Sequence, residues 1–130
     1  MGIISVKNCN KIKRFADNDL VYGPSANGKL RLWCKDNGGK LLSDLEYLHD
    51  DSIKDWVSYS LKVLDNTLNS GSIVHFDLTH MENILEVLNN KGKYAKAVTS
   101  VELRYICMKW NKFKNSVIFY KNDLEVDKPW

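Results

Sequence analysis

The clearest periodicity in the chain runs through "SIKDWVSYSLKVLDNTL", residues 52–68. There Ile53, Trp56, Val57, Leu61, Leu64 and Leu68 fall on one helical stripe. Asp50, Asp51 and Ser52 offer N-caps and Gly71 lies just past the end, so the spacing predicts a helix. Ahead of it, "NGKLRLWCKDNGGKLL" alternates Leu30, Leu32 and Cys34 before a glycine-containing turn at 36–39, the pattern of a hairpin. "SIVHFDLT" (72–79) is a short β-rich run with Val74, Phe76 and Leu78 on one face and Ile73, His75 and Asp77 on the other.

Two capping boxes follow. Thr79 to Glu82 opens a predicted helix that buries Ile84, Leu85 and Leu88 and ends near Gly92. After the basic loop "KGKYAKA", Thr99 to Glu102 opens another, with Leu103, Ile106, Cys107 and Trp110 at i, i+3, i+4 and i+7. "NSVIFYKNDLEV" reads as a hairpin turning at Asn122-Asp123. It sets Val117, Phe119, Leu124 and Val126 on one face and Ile118, Tyr120, Glu125 and Asp127 on the other. The order ββ-α-β-α-α-ββ predicts an α+β domain whose helices cover one face of an antiparallel sheet. The opposite, more polar face is left for a substrate.

At 130 residues, with 44% apolar and 27% charged side chains, the chain reads as a single domain, 1–130, able to bury a core. No apolar run approaches the roughly 18 residues of a membrane span. "MGIISV" lacks a basic segment and runs straight into "KNCNKIKR", so no signal peptide is expected. Cys9, Cys34 and Cys107 are odd in number and widely spaced, without zinc or disulfide-scaffold spacing. A reducing compartment, no metal site and no cofactor are the expectations. Neither a dinucleotide-binding nor a Walker glycine pattern occurs.

The net charge of +3 conceals segregation: residues 1–40 carry +5, residues 41–90 carry −7 and residues 91–130 carry +5. Basic ends around an acidic middle suit a polyanion on one surface and a basic or mixed partner on another, or simply a solvated surface.

Three groupings carry candidate chemistry. His75 and Asp77 share a strand face, as a general base with its orienting carboxylate or as an exposed polar face. Ser100 and Arg104, one turn apart behind Thr99, could grip a phosphate at a helix N-terminus; the ordinary alternative is that Thr99 and Glu102 only cap the helix. Tyr120, on the polar face of the last hairpin, could meet a phosphate or stack on a base. Lys91, Lys93, Lys96 and Lys109, with Lys112 and Lys114, add attraction for a nucleic-acid backbone.

Taken together, "IVHFDLTHMENIL", "AVTSVELRYICMKW" and "VIFYKNDLEVDKPW" resemble, in this order, the C-terminal toxin domains of bacterial polymorphic toxins, including contact-dependent growth inhibition effectors. Members of that group resemble the metal-independent ribonucleases of the barnase–colicin–RelE-like superfamily. The resemblance covers about half the chain, residues 71–130, and residues 1–50 add little to it. It implies helices on a twisted antiparallel sheet with the active site on the concave face. It also implies RNA cleavage, with tRNA the expected substrate, by attack of the 2′-hydroxyl to leave a 2′,3′-cyclic phosphate.

On this resemblance His75, Thr99, Arg104 and Tyr120 would be catalytic: His75 the base or acid, Arg104 with Thr99 or Ser100 the phosphate clamp, and Tyr120 the nucleotide-orienting group. Asp77 would set the His75 tautomer. The implied partners are RNA and a cognate immunity protein, with the acidic block facing a translation factor or solvent, and no membrane association. The domain would be delivered as part of a larger secreted or surface toxin and act in the cytoplasm of a target bacterium. A non-catalytic RNA- or protein-binding module, such as an immunity partner, is the competing reading; basic ends argue against an immunity protein. An ADP-ribosyltransferase lacks its Arg/His, Ser-Thr-Ser and Glu set here.

Overall fold

The computed structural model describes residues 13–17, 19–45 and 55–130. Ile53, the proposed caps Asp50, Asp51 and Ser52, and Cys9 lie outside the described residues. The stretch read as a hairpin is instead a crossover: β1 (Leu20–Tyr22), α1 (Lys29–Asn37) and β2 (Lys40–Leu41). Leu30 and Cys34 satisfy strand and helix periods equally. Leu32 breaks the tie, because it is 66% exposed while Leu30 and Cys34 are buried. Gly38, with φ 87°, closes the helix in a left-handed C-cap that returns its N–H to the Cys34 carbonyl.

The predicted central helix is α2 (Trp56–Asn69), capped by the Asp55 side chain on the Ser58 N–H. It buries Leu64 and Leu68 but leaves Trp56 43% exposed. β3 (Val74–Asp77) follows as expected. The next helix is shorter than the pattern suggested. Residues 79–83 are not helical, and α3 (Ile84–Leu88) begins after Asn83, which sits at φ 52° without a side-chain cap. Thr79 is therefore no capping box: its hydroxyl is taken by Asp77. Val87, not Leu85, is the buried residue.

α4 (Val98–Met108) and α5 (Trp110–Phe113) then lead to β4 (Val117–Lys121) and β5 (Leu124–Val126). Those last two strands form the predicted hairpin, with Asn122 and Asp123 at φ 51° and 70°. The second expected capping box fails as well. Ala97 is the N-cap, Thr99 lies inside the helix, and Glu102 is buried on the Ser60 hydroxyl.

The described strands form one mixed sheet in the order β2-β1-β3-β4-β5. β1 runs parallel to β2 and β3, β3 runs parallel to β4, and only the β4–β5 pair is antiparallel. The domain is α+β, but its sheet is mixed where an antiparallel one was expected. Parallel neighbours need crossovers, and α1, α2 and α3–α5 supply them. Helices also lie on both faces, not one. Leu64, Leu68, Leu103 and Ile106 pack with Val74, Phe76, Val117 and Phe119 on one face. Phe15, Leu30 and Cys34 pack with Val21 and Tyr120 on the other. The His75 face is a second apolar layer, because α1 lies on it.

Candidate functional site

In a parallel sheet of this order the chain leaves β1 toward one edge and β3 toward the other. A crevice opens outside the carboxyl ends of those two strands, where such sheets place their ligands. Gly23 makes the close approach possible: at φ 147°, a Cβ there would lie 2.6 Å from the Asp77 carbonyl oxygen. Beyond it Ala26 and Asn27 occupy the left-handed region at φ 47° and 55°. A cavity of about 320 Å³ lies in the crevice, and Ser25, His80, Glu82, Tyr94, Thr99 and Ser100 help to line it.

The floor on one side is the start of α4. Its first N–H groups have no intrahelical acceptors and its dipole is positive there, so this end favours an anion. The Thr99 hydroxyl donates to the Gly23 carbonyl at 3.1 Å, pinning the helix to the exit of β1. His80 and Glu82 are exposed, on the non-helical segment after β3. Lys91, Lys93 and Lys96 are exposed on the loop that carries Tyr94, and the Lys93 ammonium sits 4.9 Å from the Tyr94 ring centroid.

Thr99 and Ser100 are thus where phosphate chemistry was expected, while the other proposed catalytic residues are elsewhere. Arg104 donates to the Val87 carbonyl at 2.9 Å and the Ala95 carbonyl at 2.6 Å. It braces the α3–α4 connection, since a helical side chain pointing at a neighbouring loop finds carbonyls first. Lys109 follows the far end of α4, about 15 Å from its start at 1.5 Å per residue.

His75 is 4% exposed and lies in the second apolar layer. Its Nδ1 is 2.7 Å from the Tyr120 hydroxyl and its Nε2 is 2.9 Å from Asp19 Oδ2. The Phe15 ring stacks on it with centroids 3.7 Å apart. Burial lowers its pKa below the usual 6.5, against the opposing pull of Asp19. Asp77 does not orient it. That carboxylate accepts instead from the Thr79 N–H, at 3.1 Å, and from the Thr79 hydroxyl. Residues i and i+2 on a strand stand too far apart to share a proton, so the orienting carboxylate comes from Asp19, remote in sequence. Tyr120 is buried under Phe15, Trp33 and the Arg14 guanidinium, and burial raises its pKa to about 12.

The crevice residues missed by pattern reading are Ser25, His80, Glu82 and Tyr94. Two local signals lie among them: the Gly23-Pro24 turn dipeptide just before Ser25, and a histidine in a supposed cap. Among the described residues, no group of three or more His, Cys, Asp or Glu side chains is placed to hold a metal ion. No described helix is long and apolar enough to cross a membrane. Comparisons with protein-family models, curated proteins and solved structures found no match.

Proposed function

We propose that this domain is a metal-independent endoribonuclease that cuts tRNA by 2′-hydroxyl attack, the toxic C-terminal domain of a larger bacterial effector. The observation that carries the reading is the switch-point crevice. It brings an imidazole, a carboxylate and hydroxyl groups to the positive end of α4, beside a lysine-bearing loop. RNA cleavage without a metal needs one group to take the 2′-hydroxyl proton and another to return a proton to the leaving 5′-oxygen. His80 and Glu82 form that pair. The phosphate sits at the start of α4, where the backbone N–H groups and the Ser100 hydroxyl stabilise the charge that develops on its oxygens, while Thr99 holds the helix start to Gly23.

In this reading His75 and Tyr120 are structural and Arg104 shapes the wall. Lys91, Lys93 and Lys96 draw in the RNA backbone. The three sequence blocks that resemble polymorphic-toxin domains supply the biological setting. A cognate immunity protein of acidic surface would cover the crevice and its lysine rim, and the domain would act in the cytoplasm of the target cell. The test is incubation of the protein with total tRNA in EDTA. Discrete fragments ending in 2′,3′-cyclic phosphate are expected; intact RNA that stays bound would make this a binding module instead.

A further inference from the structure

Beside the crevice lies a second cavity of about 350 Å³, which shares Ser25 and Thr99 with the first. That size is within the range of small-molecule pockets, about 300–1,000 Å³. Trp56, Ser43, Glu102 and Tyr22 are among the residues that line the cavity. We propose that this cavity is a specificity pocket for one nucleobase, held by the Glu102 carboxyl and the Tyr22 hydroxyl beneath the Trp56 indole, next to the scissile phosphate. The proposal rests on the ribonuclease reading for its substrate.

Three observations favour a base. Among the described residues the buried Tyr22 hydroxyl has no hydrogen-bond partner, and a buried polar group in that state is the kind that a ligand atom satisfies. Glu102 is 4% exposed, and one of its oxygens accepts from the Ser60 hydroxyl. Burial raises its pKa to about 8, so near neutrality the carboxyl is protonated and both donates and accepts. A neutral carboxyl and a phenol read the mixed donor–acceptor edge of a base, not a charged group. Trp56, 43% exposed, adds a planar wall suited to stacking. The adjacency of the two cavities then places a phosphate and its base in neighbouring compartments.

The test titrates the full chain with each of the four ribonucleosides and follows the Trp56 indole and Tyr22 amide resonances by NMR. One nucleoside class is expected to move them at millimolar concentration, and Tyr22→Phe is expected to weaken that binding about tenfold, the worth of one hydrogen bond. The hydroxyl has no partner among the described residues, so Tyr22→Phe should keep or raise the melting temperature and isolate the ligand effect. The pocket is overturned if no nucleoside moves these resonances, if Tyr22→Phe binds equally well, or if Tyr22→Phe leaves an RNA cleavage preference unchanged. Wild-type protein that binds a nucleoside but leaves tRNA intact keeps the pocket and sinks the ribonuclease.

Discussion

The Nδ1 atom of His75 lies 2.7 Å from the hydroxyl of Tyr120, inside an apolar layer closed by Phe15. A carboxylate can only accept, so Nε2–H donates to Asp19 and the tyrosine hydroxyl donates to Nδ1 of a neutral ring. Both ring nitrogens are occupied and the ring is stacked, so the group stabilises the fold. His75→Ala is expected to lower unfolding free energy by about 2–4 kcal/mol through a cavity and orphaned partners. Urea denaturation measures it; a change under about 0.5 kcal/mol, the usual size of a neutral surface substitution, would show the ring is not built in.

The pH dependence of stability has two opposed arms. His75 has a folded pKa below 6.5, so the unfolded chain binds more protons and the stability it contributes is lost as pH falls from about 6.5 toward that lower value. Glu102 goes the other way. Its folded pKa, about 8, lies above the ordinary 4.5, so its contribution is full below 4.5 and is lost as pH rises from 4.5 through 8. Glu102→Gln is expected to flatten the alkaline arm and to be more stable than wild type at pH 8 by up to about 3 kcal/mol. Melting temperatures from pH 5 to 9 decide it, and an unchanged alkaline slope would contradict this role for the carboxyl.

Arg104→Ala should destabilise the domain by about 2–3 kcal/mol, because the Val87 and Ala95 carbonyls lose charge-assisted bonds. The faster amide hydrogen exchange that results should be confined to residues 87–97. Exchange that is uniform, or unchanged in that segment, would mean Arg104 does not brace the loop.

The exposed lysines of the rim test the polyanion surface. Replacing Lys91, Lys93 and Lys96 with Ala together should reduce the slope of log affinity against log salt by about two to three, near 0.7–0.9 per phosphate contact. Lys109→Ala, beyond the far end of α4, should leave the slope alone. Equal effects from both ends of α4 would argue that attraction is diffuse over the whole surface.

The elements that pattern reading found are those whose apolar period is unambiguous: α2, β3, α4 and the β4–β5 hairpin. It failed at residues 29–37, where Leu30 and Cys34 fit both periods, and there the error removed the parallel crossover and so the crevice. His75 was legible as a special residue, because a histidine and an aspartate on a strand are conspicuous. Its role was not, since burial comes from Phe15 and α1, and its carboxylate from Asp19, all remote in sequence. That Thr99 and Ser100 stand at a helix start was legible, because a helix start is a local signal, though the cap is Ala97. His80 and Glu82 line the crevice only because β1 and β3 lie side by side, a relation that no local spacing encodes.

If the crevice is the ribonuclease site proposed above, the buried His75 takes no part in cleavage. Cleavage of tRNA in EDTA, with wild type, His80→Ala and His75→Gln compared under conditions where each is folded, addresses it most directly. His80→Ala is expected to keep wild-type stability within about 0.5 kcal/mol, as a surface change does, and to lose at least a hundredfold in rate, as loss of a proton-transfer group does. His75→Gln should cut at near the wild-type rate. Full activity in His80→Ala, or its loss only in folded His75→Gln, would contradict the account.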